Sequence, residues 1–145
     1  MSDSIRVAAH ELPTLLRKYR LTGGRVRRVR VLYPRPNAVA VEFHVLVREA
    51  TKTLGTESKP VRLVLRLDRV EEFRMQMRPN LPKSRIAEAR VAYLNGLFYV
   101  SLDSLGLEPT ETAQVFDFRV SEQYAAGREL SVREATPPES SDPPA

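Results

Sequence analysis

Apolar and polar residues alternate along most of this chain, and this alternation predicts β-strands. The clearest run has five apolar positions: Val39, Val41, Phe43, Val45 and Val47. Because the side chains of a strand alternate between its two faces, we expect these five to share a buried face. Other alternating runs begin at Val26, Val61 and Phe116. The run from Val61 slips by one residue at 69–72, and this slip predicts a β-bulge.

The dipeptide Asn95-Gly96 predicts a β-hairpin, because both residues tolerate the positive φ of a two-residue type I′ turn. The turn sets a register that runs from Leu94 opposite Leu97 to Arg90 opposite Ser101. One face of the hairpin is apolar, and we expect it to join the core: Ala89, Val91, Tyr93, Phe98, Val100 and Leu102. The other face mixes leucines and Tyr99 with charged residues, so we expect it to be half solvated.

Residues 5–19 hold the only segment with a helical pattern. Pro13 suits the first turn of that helix, and Gly23-Gly24 follows as its stop. Turns are predicted at 34–37 and at 122–127 by their proline, asparagine and glycine content.

The order of these elements predicts the fold class. Six to eight short strands with one short helix are typical of a mainly β protein, either an antiparallel β-sandwich or a strongly curved sheet. We assign residues 1–135 to this single domain. Residues 136–145 contain four prolines and few apolar side chains, so they predict a disordered tail.

The amino-acid composition limits the cellular compartments and the classes of partner that we expect. The 145 residues include no cysteine, which excludes disulfides and thiolate chemistry and fits a reducing compartment. No export signal or membrane-spanning apolar run is visible, so we expect a cytoplasmic protein that does not enter a membrane. The net charge of +5 comes almost wholly from arginine. Such a charge favours phosphate backbones or acidic proteins as partners, although a GC-rich coding sequence also enriches arginine.

Glu42 and His44 are the best candidates for acid–base or metal chemistry. They lie two residues apart on one strand and therefore project from the same face. A catalytic zinc ion needs a third protein ligand, which the pattern does not supply. The common nucleophile, nucleotide-binding and zinc-protease motifs are missing from the sequence. We therefore expect no catalytic residue, no metal and no cofactor, and a small hydrolase that uses Glu42 and His44 remains an alternative.

A basic cluster lies between residues 17 and 30: Arg17, Lys18, Arg20, Arg25, Arg27, Arg28 and Arg30. Phosphate binding would require these side chains on one surface. The strand pattern places Arg28 and Arg30 on one face but does not place the others. Tyr33 is in phase with Val29 and Val31, so we expect it in the core rather than as a stacking platform for bases. A nucleic-acid-binding accessory protein is thus a second alternative.

Several strand segments together resemble a known family. These are Val61-Arg-Leu-Val-Leu-Arg-Leu67, Val70-Glu-Glu-Phe-Arg-Met75, the Asn95-Gly96 hairpin ending in Val100-Ser-Leu-Asp103, and Val115-Phe-Asp-Phe118. Across residues 60–127 the chain resembles the immunity protein 50 family of bacterial toxin systems. The resemblance implies a non-catalytic, cytoplasmic antitoxin that occludes a cognate effector. Because inhibitors of nuclease toxins tend to be acidic, the positive charge here fits an acidic effector instead.

The leading prediction is therefore a binding module with a protein partner. We expect its contact surface to include the outward side chains of two early strands: Arg28, Arg30, Glu42 and His44. The second candidate surface is the back of the hairpin, with Leu94, Leu97 and Tyr99, because apolar residues beside charges are typical of interfaces.

Overall fold

The computed structural model describes residues 4–49, 60–75, 86, 89–102, 118 and 123–135. Within these ranges it has a short 3₁₀ turn, one α-helix and seven strands. In chain order they are β1 (Ile5–Val7), the 3₁₀ turn (Ala9–Glu11), α1 (Leu12–Lys18), β2 (Tyr19–Arg35), β3 (Ala38–Glu49), β4 (Pro60–Met75), β5 (Arg90–Leu94), β6 (Leu97–Ser101) and β7 (Gln123–Ala135). The predicted mainly β class is confirmed. The proposed tail at 136–145 lies outside the described residues.

All strands pair antiparallel in one sheet with the order β2-β3-β4-β7-β6-β5. Strand β7 is central, since it pairs with β4 along one edge and with both β6 and β1 along the other. Of the two predicted architectures, the strongly curved sheet describes this arrangement.

Two contacts show how strongly the sheet curls. The backbone N–H of Ile86, just before β5, donates to the carbonyl of Gly24 in β2 over 2.8 Å, and the Gly23 N–H donates to the Ile86 carbonyl over 2.9 Å. Strands β2 and β5 are the two ends of the strand order, so these bonds bring its opposite edges together. The Tyr19 hydroxyl in β2 also donates to the Glu134 carboxylate in β7. Burial, assisted by that hydrogen bond, raises the pKa of Tyr19 above its usual range.

The inner face of the curled sheet holds the main core. The apolar positions predicted for β3 face Leu63, Leu65 and Leu67 of β4, which in turn neighbour Leu130 and Val132 of β7. Helix α1 closes one side of this core with three leucines: Leu12, Leu15 and Leu16. The predicted bulge is confirmed in β4, where the register shifts between Val70 and Glu72.

The Asn95-Gly96 hairpin is confirmed in both turn and register. Asn95 has φ +52° and Gly96 φ +84°, as a type I′ turn requires. The pairs run from Leu94 opposite Leu97 to Arg90 opposite Ser101. The predicted inner side chains join the main core, except that Tyr93 is 44% exposed.

The other hairpin face is half-buried near the turn, as predicted, but fully buried at its base, which corrects the prediction there. Tyr99 is 2% exposed and Ser101 is fully buried. The physical reason is a second hydrophobic cluster, in which Tyr99 packs against Phe118 with ring centroids 5.2 Å apart and Tyr124 and Ala126 fill the remaining space. Phe118 was predicted on a strand, but its backbone is helical.

The N-terminal helix is shorter than predicted. It begins at Leu12 because Pro13 fits only a first turn, and Ile5–Val7 instead form β1 on β7. It ends before Gly23-Gly24 because Tyr19 is already extended and pairs with Glu49.

Two further predictions are wrong. Tyr33 is 73% exposed rather than in the core, because it lies near the end of β2, an edge strand that pairs only with β3. The turn predicted at 122–127 is absent from 123 onward, where the chain has already entered β7.

Candidate partner-binding surface

Among the described residues, eight arginines lie on the outer face of the sheet, opposite the main core, in the part of β2, β3, β4 and β7 that pairs before the bulge of β4. Residues directly opposite one another in neighbouring strands point to the same side, so the registers of β2, β3, β4 and β7 assign this face. We call this set the arginine face: Arg20, Arg25, Arg28, Arg30, Arg48, Arg62, Arg66 and Arg133. Three described carboxylates share this part of the face: Glu42, Asp68 and Glu129. Arg6 of β1 lies opposite Ser131 on the same side and forms an ion pair with Glu129.

The structure brings the four strand residues of the sequence prediction together on this face. Arg28 lies directly opposite His44, and Arg30 lies directly opposite Glu42. Period-two alternation was sufficient to find their common side. Which of these residues lie directly opposite one another depends on the register of β2 against β3, including the register shifts near Gly23-Gly24 and Val26.

Glu42 is the centre of a charged network and is only 5% exposed. Its Oε1 lies 3.0 Å from His44 Nε2 and 3.6 Å from Arg30 Nη1. Its Oε2 accepts a hydrogen bond from Arg66 Nη1 over 3.2 Å. Both carboxylate oxygens are therefore engaged by cationic or hydrogen-bonding groups, as a buried charge requires.

This environment determines the ionisation of Glu42. Burial by itself raises the pKa of the carboxyl group, but the hydrogen bonds and charges of His44 and Arg66 oppose it. The net result is a pKa below the usual value of 4.5. Glu42 is therefore a fixed anion at neutral pH that orients the surrounding side chains.

Arg66 connects this network to a second carboxylate. Its Nε and Nη2 atoms contact Asp68 at 3.1 Å while Nη1 holds Glu42. Five other members of the arginine face make no ion pair among the described residues: Arg20, Arg25, Arg28, Arg62 and Arg133. The face thus combines held guanidinium groups with others that retain their full charge toward solvent.

The basic cluster predicted at 17–30 divides between two regions. Its Arg20, Arg25, Arg28 and Arg30 lie on the arginine face, whereas Arg17 and Lys18 lie on α1. Arg27 lies at a register shift of β2, between Val26 and Arg28.

Sequence reasoning missed the other half of the arginine face. Alternation places Arg48 on the side of Glu42 and His44, and Arg62 on the side of Arg66, but it does not show that these sides form one surface. Arg133 joins them only because the strand order puts β7 beside β4.

The hairpin residues of the prediction do not form an open surface. Leu94 and Leu97 are half-buried against the Tyr99 cluster, and Tyr99 itself is almost fully covered. The structure therefore keeps Tyr99 from direct contact with a partner.

Comparison with family models, with curated proteins and with solved structures finds no match to this chain. The resemblance to the immunity protein 50 family accordingly remains a prediction. Among the described residues, no group of three histidine, aspartate or glutamate side chains could hold a metal ion. No helix in the same ranges is long and apolar enough to cross a membrane.

Proposed function

We propose that this protein is a non-catalytic binding module that uses its arginine face to bind an acidic protein partner. The observation that carries the proposal is that, among the described residues, eight arginines and only three carboxylates lie on one side of β2, β3, β4 and β7 up to the bulge of β4. A surface of one dominant charge steers an oppositely charged partner and selects against basic ones. An antitoxin that occludes an acidic effector is the specific form of this proposal.

The ordering of the guanidinium groups supports a protein partner. Arg66 is held by Glu42 and Asp68, and Arg30 is held by Glu42. Side chains that are already fixed lose less conformational entropy when they bind, so planar guanidinium groups can pair with carboxylates at lower cost. Leu46, half-buried on the same face, adds the apolar contact that protein interfaces combine with charge.

The engagement of Glu42 supports a non-catalytic role. A general base needs a free lone pair within reach of substrate, whereas both oxygens of Glu42 face groups of this protein. The side chain is also 6% exposed, which leaves little access for a substrate. Glu42 and His44 are better explained as the organisers of neighbouring arginines.

A nucleic-acid backbone is the second candidate partner. The specific observation in its favour is that four arginines of the predicted cluster share one surface with four more, as phosphate binding requires. Against single strands, the registers assign no Phe, Tyr or Trp to the described surface around the arginine face, and its one imidazole, His44, is bonded to Glu42.

A binding experiment with two probes tests the proposal. The probes are a fluorescent polyglutamate peptide and a DNA duplex of equal charge, titrated at physiological ionic strength. The test variant is the double reversal Arg28→Glu with Arg62→Glu, on the arginine face. The matched control is Arg17→Glu with Lys18→Glu, which makes the same charge change on α1.

We expect the wild-type protein to prefer polyglutamate, and we expect the test variant to lose at least about tenfold in affinity for it. The control should lose much less. Tighter binding to DNA, with an affinity that falls steeply as the salt concentration rises, would indicate that the partner is a nucleic acid and not an acidic protein. Equal losses in the two variants would overturn the assignment of the arginine face.

A further inference from the structure

A histidine lies among the guanidinium groups of the arginine face. His44 of β3 is directly opposite Arg28 of β2 on one side and Val64 of β4 on the other. Its side chain is 22% exposed, so it can exchange protons with solvent. Histidine is the side chain that ordinarily changes its charge between about pH 5 and pH 8. Among the described residues of the face, His44 is therefore the group whose charge can respond to pH near neutrality.

The contact with Glu42 fixes which ring nitrogen of His44 takes up a proton. Glu42 is an anion and carries no hydrogen, so His44 Nε2, which lies 3.0 Å from Glu42 Oε1, is the donor in this contact. A neutral imidazole has a single N–H group, and its hydrogen is then on Nε2. The second ring nitrogen, Nδ1, has no hydrogen-bond partner within the described ranges. A proton from solvent therefore binds Nδ1 and gives the ring a positive charge and a second N–H donor.

The charges around His44 act on this protonation in opposite directions. The carboxylate of Glu42 stabilises the charged ring. The arginines of both flanking strands oppose the added charge, and they are Arg25, Arg28 and Arg30 on β2 and Arg62 and Arg66 on β4. Arg30 and Arg66 are themselves held by carboxylates, whereas Arg28 makes no ion pair among the described residues. The protonated ring therefore faces an uncompensated guanidinium group directly across the strand pair.

This pair of opposed cations favours an added anion. Like charges in directly opposed positions of neighbouring strands repel one another, and an anion that contacts both removes the repulsion. Glu42 does not supply this anion, because its Oε1 is engaged by His44 and Arg30 and its Oε2 by Arg66. A carboxylate from a partner can accept one hydrogen bond from the Nδ1–H of the ring and others from the forked guanidinium group of Arg28.

We propose that Arg28 and protonated His44 together bind a carboxylate of the acidic partner, so that the partner binds more tightly at mildly acidic pH. The neutral ring has an acceptor at Nδ1, and an acceptor does not pair with a carboxylate. The protonated ring has a donor there and adds one positive charge to the arginine face. The inference rests on the proposed function and adds to it a regulation of the same surface by pH.

The first test measures the affinity for the fluorescent polyglutamate peptide at about pH 6 and about pH 8, at constant ionic strength. We expect the wild-type protein to bind at least about threefold more tightly at the lower pH, because one unit charge is gained next to the bound carboxylate. His44→Gln cannot be protonated and should lose this pH dependence. His44→Lys carries a fixed charge, so it should lose the pH dependence too but bind more tightly than His44→Gln.

The second histidine of the chain provides the matched control. His10 is exposed in the 3₁₀ turn, away from the arginine face. His10→Gln removes the same titratable group and should retain the pH dependence of the wild-type protein. All variants are measured with the same peptide, so a change of the peptide itself with pH cancels in the comparison.

A second test needs no macromolecular partner. Nuclear magnetic resonance follows the ring signals of both histidines against pH, with and without excess glutarate, at an ionic strength held constant by sodium chloride. Glutarate carries the side-chain carboxylate of glutamate. Coupling between proton and carboxylate is reciprocal, so a threefold coupling raises the titration midpoint of His44 by about half a pH unit. The midpoint of His10 should stay in place, and Arg28→Gln should reduce the shift at His44.

An equal pH dependence of polyglutamate binding in wild type and His44→Gln, or equal glutarate shifts at the two histidines, would overturn the inference. Failure of the proposed function gives a different result. Loss of polyglutamate binding at both pH values, with the glutarate shift at His44 intact, would remove the acidic protein partner and keep the carboxylate site. Tight polyglutamate binding that is independent of His44 would remove the site and keep the partner.

Discussion

The outer face of the sheet has two ends with the same sequence pattern but different burial of their side chains. At one end, β2, β3 and β4 alternate apolar residues with arginines that remain at the surface. At the other, β5 and β6 alternate in the same way, yet Tyr99 on their outer side is buried by Phe118 and Tyr124, and Leu94 and Leu97 are half-buried beside it. Alternation thus assigns a side chain to a face of the sheet, whereas its burial depends on which segment covers that face.

The two ends therefore contribute differently to the molecule. The hairpin end adds a second hydrophobic cluster, and burial of this apolar surface stabilises the fold. The arginine end carries positive charge at the surface, which adds little to stability, and we propose that it binds the partner. Substitutions at the two ends should separate these roles.

The largest expected effect is at the covered end. Tyr99→Ala removes a ring that is 2% exposed and packed on Phe118, so it should lower the free energy of unfolding by about 3–5 kcal/mol. Arg28→Ala on the arginine face should change it by no more than about 0.5 kcal/mol. Urea unfolding of both variants measures the contrast, and similar losses would contradict the division into a stabilising and a binding end.

An intermediate effect is expected at Glu42, a buried charge of the arginine end. Glu42→Gln keeps the shape but leaves Arg30, Arg66 and His44 without their shared anion. It should destabilise the fold by about 1–3 kcal/mol, less than for a fully buried pair because the partners are partly exposed. Urea unfolding at neutral pH measures the loss. An unchanged midpoint would show that the network does not hold these side chains.

The same residue predicts a pH dependence. The folded state lowers the pKa of Glu42 below 4.5, so its stabilising contribution is complete above that value. The contribution is lost as the pH falls through the lowered pKa, where the folded state too becomes protonated. The stability difference between wild type and Glu42→Gln should therefore shrink below pH 4.5, as urea midpoints between neutral and acidic pH will show. A constant difference would mean that the carboxylate charge is not its source.

A smaller effect is expected at the hairpin turn. Gly96 has φ +84°, and a Cβ atom added there would meet nothing within 4 Å, so Gly96→Ala costs only backbone strain, about 1 kcal/mol. Circular dichroism on heating measures it. A loss as large as that of Tyr99→Ala would imply that the turn, rather than the cluster, stabilises this end.

The local features were predictable from sequence because they depend on near neighbours. Asn95-Gly96 sets its own register, and the slip at 69–72 is visible as a change of phase. Strand β7 was missed in part because Ala125, Ala126 and Gly127 carry weak strand signals, although their small size lets them pack against neighbouring strands. In Gly127 a Cβ would lie 2.9 Å from the Asp68 carbonyl oxygen, so the strand needs the very residue that suggested a turn.

The candidate site was predictable only as far as single strands allow. Alternation placed Arg28 with Arg30, and Glu42 with His44. The joining of these residues to Arg62, Arg66 and Arg133 depends on strand order across the sheet, which alternation does not encode. The burial of Tyr99 depends on Phe118, nineteen positions later in the chain.

The most direct test of the central claim observes the arginine side chains themselves. Nuclear magnetic resonance of the Nε–H groups during titration with polyglutamate reports each arginine separately. We predict that the signals of Arg20, Arg25, Arg28, Arg62 and Arg133 shift together, while those of Arg17 on α1 and of Arg128, which is paired with Glu71, stay in place. Shifts of equal size at all seven would contradict the arginine face as a binding surface.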